Sequence, residues 1–163
     1  MKISRMSFDG ALLERGYWIY TILIYHRSGK KYLYIGRTGD NSSKNAGSPF
    51  QRVANHLNLL PSAPMNAIKR LIEQNEYKPS ECQFRLIAVG PLFPERKDES
   101  HWPIRNKMTA LEKSVADHFR SKGYDVIGGH KDNDAKDPQL TKKVVEALEP
   151  EIQKEIRRLK KPC

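Results

Sequence analysis

Two cysteines, Cys82 and Cys163, are all that this 163-residue chain contains. They are too few for a disulfide framework or a four-ligand zinc site, so a reducing, cytoplasmic setting is expected. His101, His118 and His130 do not make good the shortage, because with Cys82 they show no zinc-ligand spacing. Long apolar runs are also missing. A membrane span needs about 20 consecutive apolar residues, whereas the longest apolar-rich run, Tyr17 to Tyr25, has nine residues and includes Thr21. The opening MKISRMSFDG lacks the apolar core of a signal peptide, which argues against secretion. Gly36-Arg37-Thr38-Gly39 has neither Walker spacing nor a Gly-Lys pair, so it is not a phosphate-binding loop of that kind.

Acidic side chains are outnumbered, 19 Asp plus Glu against 29 Lys plus Arg, which leaves a net charge of +10. The excess is uneven. Residues 1–78 carry +7, residues 79–136 carry +1 and residues 137–163 carry +2. One-sided charge in a chain whose pI is near 9.6 implies a polyanionic partner, nucleic acid first.

What is present reads as one small domain with extensions. Residues 1–15 form a mixed N-terminal arm, residues 16–130 a domain, and residues 131–163 a linker and helical extension. YWIYTILIY is dense in β-branched and aromatic residues, and KYLYIG follows after a turn at Ser28-Gly29, which predicts a β-hairpin. Residues 38–49 are Gly/Ser/Asn-rich loop. Phe50, Val53, Ala54, Leu57 and Leu60 recur at helical spacing until Pro61, and a second helix is expected in MNAIKRLIEQN. QFRLIAVG suits a third strand. The polar, Pro-containing segment from Pro91 to Lys107 reads as exposed, with an amphipathic helix from about Asn106 to Lys122 stopped by Gly123. Pro150 divides the C-terminal segment into two short helices, whose apolar residues (Val144, Leu148, Ile152 among them) would pack on the domain or on a second subunit. The expected class is α+β: a small central sheet built on an N-terminal hairpin, flanked by helices, with a C-terminal helical extension.

Polar chemistry concentrates on the hairpin and the helix after it. Tyr20 and Tyr34 lie on its two strands, where pairing can bring the phenols together, and Gly36 closes the second strand. Arg52 and His56 are four apart and share one helix face. Glu112 lies early on the later amphipathic helix. Phenol, imidazole, guanidinium and carboxylate together suit phosphodiester cleavage, the carboxylate holding a divalent metal and the arginine neutralising phosphate.

At these residues the chain resembles the GIY-YIG nuclease superfamily. The first motif stands as Trp18-Ile19-Tyr20, with tryptophan in the glycine position, and the second as Tyr34-Ile35-Gly36 followed by Arg37-Thr38. Arg52 with His56 reproduces the helix pair, and Glu112 in TALEKSVADHF matches the metal-ligand position. The loop between Gly36 and Arg52 is longer than usual, and Asp125 follows Gly123-Tyr124 where the family commonly has asparagine. The resemblance spans residues 16–130. It implies a DNA endonuclease in which Glu112 binds Mg²⁺ or Mn²⁺ and Arg52 stabilises the pentacoordinate phosphate. Tyr20 or Tyr34 would take the proton of the attacking water, with His56 orienting or assisting. Gly36, Arg37, Lys44, Lys30 and Lys31 would meet the nucleic acid. The 38–50 loop and the 91–105 segment would do any sequence reading, and a homodimer would be needed to cut both strands at once.

Taken singly, each residue also has an ordinary structural role: a buried strand tyrosine, a solvated helix arginine, a satisfied histidine, a first-turn glutamate near a helix dipole. Their joint order carries the reading. A non-catalytic nucleic-acid-binding module with the same fold is the alternative, and a scaffold that does not touch DNA is a third.

Overall fold

A computed structural model describes residues 3–39 and 45–159. Its centre is β1 (Tyr17–His26), which pairs antiparallel with β2 (Lys31–Arg37) on one side and with β3 (Cys82–Phe93) on the other. A two-residue strand, β4 (Val126–Ile127), adds parallel to β2, giving the order β3-β1-β2-β4. The hairpin expectation holds, with Ser28-Gly29 in its turn. The chain is an α+β fold, as its pattern implied. β1 is buried along nearly its whole length because helices cover both faces, and this is why its sequence is continuously apolar instead of alternating.

Side-chain alternation sorts the two faces. Tyr17, Ile19, Leu23, Leu33 and Ile35 pack against α3 (His101–Ser121) and α4 (Pro138–Leu159). Tyr20, Ile22, Ile24 and Tyr32 pack against Val53 of α1 (Pro49–His56) and Ile68, Leu71 and Ile72 of α2 (Ala67–Gln74). The arm carries a short 3₁₀ turn, Gly10–Leu13, and Phe8 stacks on Phe50 with ring centroids 4.7 Å apart.

Several boundaries differ from the sequence expectation, each for a physical reason. α1 stops at His56 instead of running to Leu60, and Leu60 is exposed. Asn58 Oδ1 accepts from the Leu60 backbone N–H at 3.3 Å, a local side-chain bond that competes with helix continuation. α3 begins at His101, earlier than expected, and takes up Trp102 and Pro103. Proline is tolerated there because first-turn N–H groups have no intrahelical acceptor. At its other end Gly123 sits at φ +81°, with Tyr124 N–H donating to Phe119 O and Gly123 N–H to Arg120 O. That pair of bonds is a Schellman motif, and the Phe119 and Tyr124 rings meet edge-on as its apolar contact.

α4 is one helix, not two. Pro150 lies inside it on the exposed side, while Val144, Leu148 and Ile152 are buried on both sides of the proline. Three buried aliphatic side chains contribute about 1.5–3 kcal/mol each, enough to offset the roughly 3 kcal/mol that an interior proline costs. The helix packs on β3, α3 and β1 of its own chain. No helix among the described residues is long and apolar enough to cross a membrane.

Candidate active site

Strand register assembles the two phenols. Tyr20 pairs with Gly36 and Ile22 with Tyr34, so Tyr20 and Tyr34 are diagonal neighbours on one face, ring centroids 6.4 Å apart. Gly36 has a steric reason to be glycine: a Cβ there would lie 2.5 Å from Cζ of Tyr20. The phenol therefore lies flat across the strand and reaches past it.

α1 brings the partners. Ser48 caps it, its Oγ accepting from Gln51 N–H at 3.3 Å, and Pro49 opens the first turn. One turn separates Arg52 from His56, which puts both on the sheet side. The Tyr20 hydroxyl stands 2.9 Å and the Tyr34 hydroxyl 3.1 Å from the same His56 Nε2. Burial, then the Arg52 charge, lowers the imidazole to about 4, so His56 is neutral at pH 7, and with its proton on Nδ1 the Nε2 lone pair is open to a phenol. Both phenols are held in the neutral form. Burial raises Tyr20 well above its usual value, and burial with the Glu112 charge raises Tyr34. An Arg52 hydrogen bond to Tyr20 works the other way without reversing the shift.

Glu112 projects from α3 toward the same strand end. Its side chain is 18% exposed, and Arg37 Nε lies 3.3 Å from its Oε2. Burial raises the carboxyl, against the opposing charges of Arg37 and Arg52. α3 is anchored by a fully buried pair, the Tyr17 hydroxyl 2.6 Å from His101 Nδ1. Thr38 ties the strand ends together, accepting from Trp18 N–H at 2.8 Å and donating to the Gly16 carbonyl.

The structure thus brings Tyr20, Tyr34, Arg52, His56 and Glu112 to one end of the sheet. The candidates for nucleic-acid contact are placed differently. Arg37 is buried and ion-paired to Glu112 instead of presented on the surface. Gly36 lies under the Tyr20 ring. Lys30 is exposed in the hairpin turn, and Lys31 stands over the Tyr25 ring at 5.9 Å; five residues of strand put Lys31 roughly 17 Å from Gly36. Lys44 falls outside the described residues. Asp125 is exposed and extends the β2 pairing through its carbonyl, which accepts from Leu33 N–H. His130 lies within bonding distance of Ile35 O (3.1 Å) and the Arg120 guanidinium (2.9 Å).

One contributor has no signal in the sequence. Lys69 is buried, and its ammonium donates to the carbonyls of Leu60 (2.8 Å), Ala63 (2.9 Å) and Pro61 (3.2 Å). It clamps the loop leaving His56, and backbone acceptors of this kind cannot be read from residue types. A polar cavity of about 190 Å³ adjoins Arg52, lined by Arg15, Asn45, Gln51 and Asn55 together with backbone. Arg15 is held there by a bidentate pair with Glu95, at 2.6 and 2.9 Å.

No described residues gather three or more His, Cys, Asp or Glu side chains around one point. A hard cation that keeps most of its waters needs only one carboxylate and phosphate oxygens, and Glu112 fits that donor set. Comparison with family models, with curated proteins and with solved structures finds no match to this chain.

Proposed function

We propose that the chain is a metal-dependent endonuclease of the GIY-YIG type that hydrolyses phosphodiester bonds in DNA. The observation that carries the reading is the convergence of two phenols on one neutral imidazole nitrogen, beside Arg52 and Glu112. Glu112 would hold Mg²⁺ or Mn²⁺, which when bound supplies charge neutralisation and polarisation of the phosphate. Arg52 faces the developing negative charge of the pentacoordinate phosphate.

The proton path follows from the protonation states. A phenol raised above its usual value is a poor base by itself. It is a good relay, passing its own proton to His56 Nε2 as it accepts one from the attacking water. Arg52 is one cause of the low His56 basicity, and a bound phosphate offsets that charge, so the imidazole becomes more basic when substrate arrives. The polar cavity beside Arg52 suits the adjoining stretch of backbone.

The test is nicking of supercoiled plasmid by wild type and Glu112→Ala, with and without Mg²⁺. Wild type should nick only with the metal, and the variant should lose at least about 100-fold. Cleavage that survives Glu112→Ala, or excess EDTA, overturns the proposal. Salt-sensitive duplex binding by wild type with no nicking would favour the non-catalytic nucleic-acid-binding module instead.

A further inference from the structure

We propose that Arg37 is the counter-charge which Glu112 exchanges for the divalent cation, so that cation and phosphodiester enter the site together. The inference rests on the reading of Glu112 as the metal ligand. Arg37 leaves β2 on the face opposite Tyr34, because successive strand residues alternate. Its side chain is 8% exposed; Nε stands 3.3 Å from Glu112 Oε2 and Nη1 donates to the Gly39 carbonyl. The guanidinium is fixed on the carboxylate and is not a swinging surface arm.

The charge balance around that carboxylate is lopsided. Arg37 and Arg52 both act on Glu112, and Arg105, two turns earlier on α3, acts with Arg52 on Arg37. The Tyr20 and Tyr34 phenols, held neutral, add no negative charge. Two guanidiniums therefore act on one buried carboxylate, and a third adds positive charge beside Arg37. A divalent cation arriving alone must displace Arg37 from its partner and then stand among uncompensated positive charges where water screens poorly, which is costly. A phosphodiester changes the balance. Its anionic oxygens take up the guanidiniums, and the carboxylate is released to the cation. Coupling of this kind typically changes affinity by about 5–150-fold, and it is reciprocal.

The direct test is Mn²⁺ binding to the full chain without DNA, read from the free Mn²⁺ paramagnetic resonance signal. Arg37→Gln keeps a donor for the Gly39 carbonyl, and Arg37→Met is a second neutral variant; thermal melting establishes that each is folded. Either folded variant should bind Mn²⁺ about tenfold more tightly than wild type, and adding Glu112→Gln should remove the gain. Unchanged or weaker binding overturns the counter-charge role and leaves Glu112 as a ligand. A gain that persists after Glu112→Gln places the metal elsewhere and overturns the functional reading as well. Wild type alone gives an independent measurement if neither variant folds. Dimethyl phosphate, a phosphodiester that chelates Mn²⁺ poorly, should tighten Mn²⁺ binding by about fivefold. No tightening overturns the proposal.

Discussion

The hairpin carries a tyrosine–histidine cluster at each end, and the two are put together differently. At the turn end, Tyr32 and Tyr77 share a hydroxyl contact at 3.1 Å and His26 stacks on Tyr77 at 3.8 Å. Both nitrogens of His26 have local partners: Nδ1 faces Ser28 Oγ at 2.8 Å and Nε2 faces Glu81 at 3.4 Å. At the other end, two phenols compete for one nitrogen of His56, and a buried carboxylate lies among arginines. Aromatic rings and imidazole are common to both. What separates them is proton demand: each His26 nitrogen has its own partner, whereas two hydroxyls meet at one His56 nitrogen, beside a charge set suited to phosphate. Residue type alone therefore does not tell the two clusters apart.

The largest expected effect breaks this comparison outright. His56→Ala should cut plasmid nicking by about 10²–10⁴-fold, the usual range for a lost proton-transfer group. His26→Ala should change the rate by less than about threefold while lowering stability by about 1–3 kcal/mol, through the loss of its Ser28 and Glu81 bonds. Measuring rate and melting temperature for both variants decides the matter. A rate loss at His26 equal to that at His56 would mean that both act only by holding the fold.

That contrast also marks what was legible in the sequence. Local signals were clear: the turn at Ser28-Gly29, the helix stop at Gly123, and the i, i+4 pair of Arg52 and His56. Tyr20 and Tyr34 were visible as candidates, but their convergence on one nitrogen depends on a register that pairs Tyr20 with Gly36. Long-range packing decided the rest. Pro150 stays helical because Leu148 and Ile152 are buried around it, and β4 has two residues, too few for any periodicity. From local sequence Arg37 reads as a surface contact, because nothing local says that Glu112, 75 residues on, will face it.

A smaller effect sharpens the difference in proton demand. His56 titrates near 4 in the folded chain and near 6.5 when unfolded. The unfolded chain therefore binds the proton more tightly. Stability should be intact above pH 6.5 and fall as pH drops through 6.5 toward 4, by up to about 3 kcal/mol from this group. His56→Gln should flatten that stretch of the curve, measured as urea midpoints between pH 7 and pH 4. An unchanged slope in the variant would show that the imidazole is not held neutral by its surroundings.

The smallest effect is expected at the turn end, where the comparison bears on how DNA lies. Arg52, Arg15 and the polar cavity are at the Gly36 end, while Lys30 and Lys31 sit across the turn, with Lys31 already over the Tyr25 ring. Each phosphate contact contributes about 0.9 to the slope of log affinity against log salt. If the strand follows the cavity, Lys30→Ala with Lys31→Ala should leave that slope unchanged within error and weaken binding by less than about twofold, through long-range field alone. Arg15→Ala should lower the slope by about one, provided that its release from Glu95 leaves the fold intact by melting. A slope reduced by about two in the lysine variant would instead run the duplex along the whole hairpin. The basic excess of the first 78 residues would then serve as one continuous track, with the scissile position at its end.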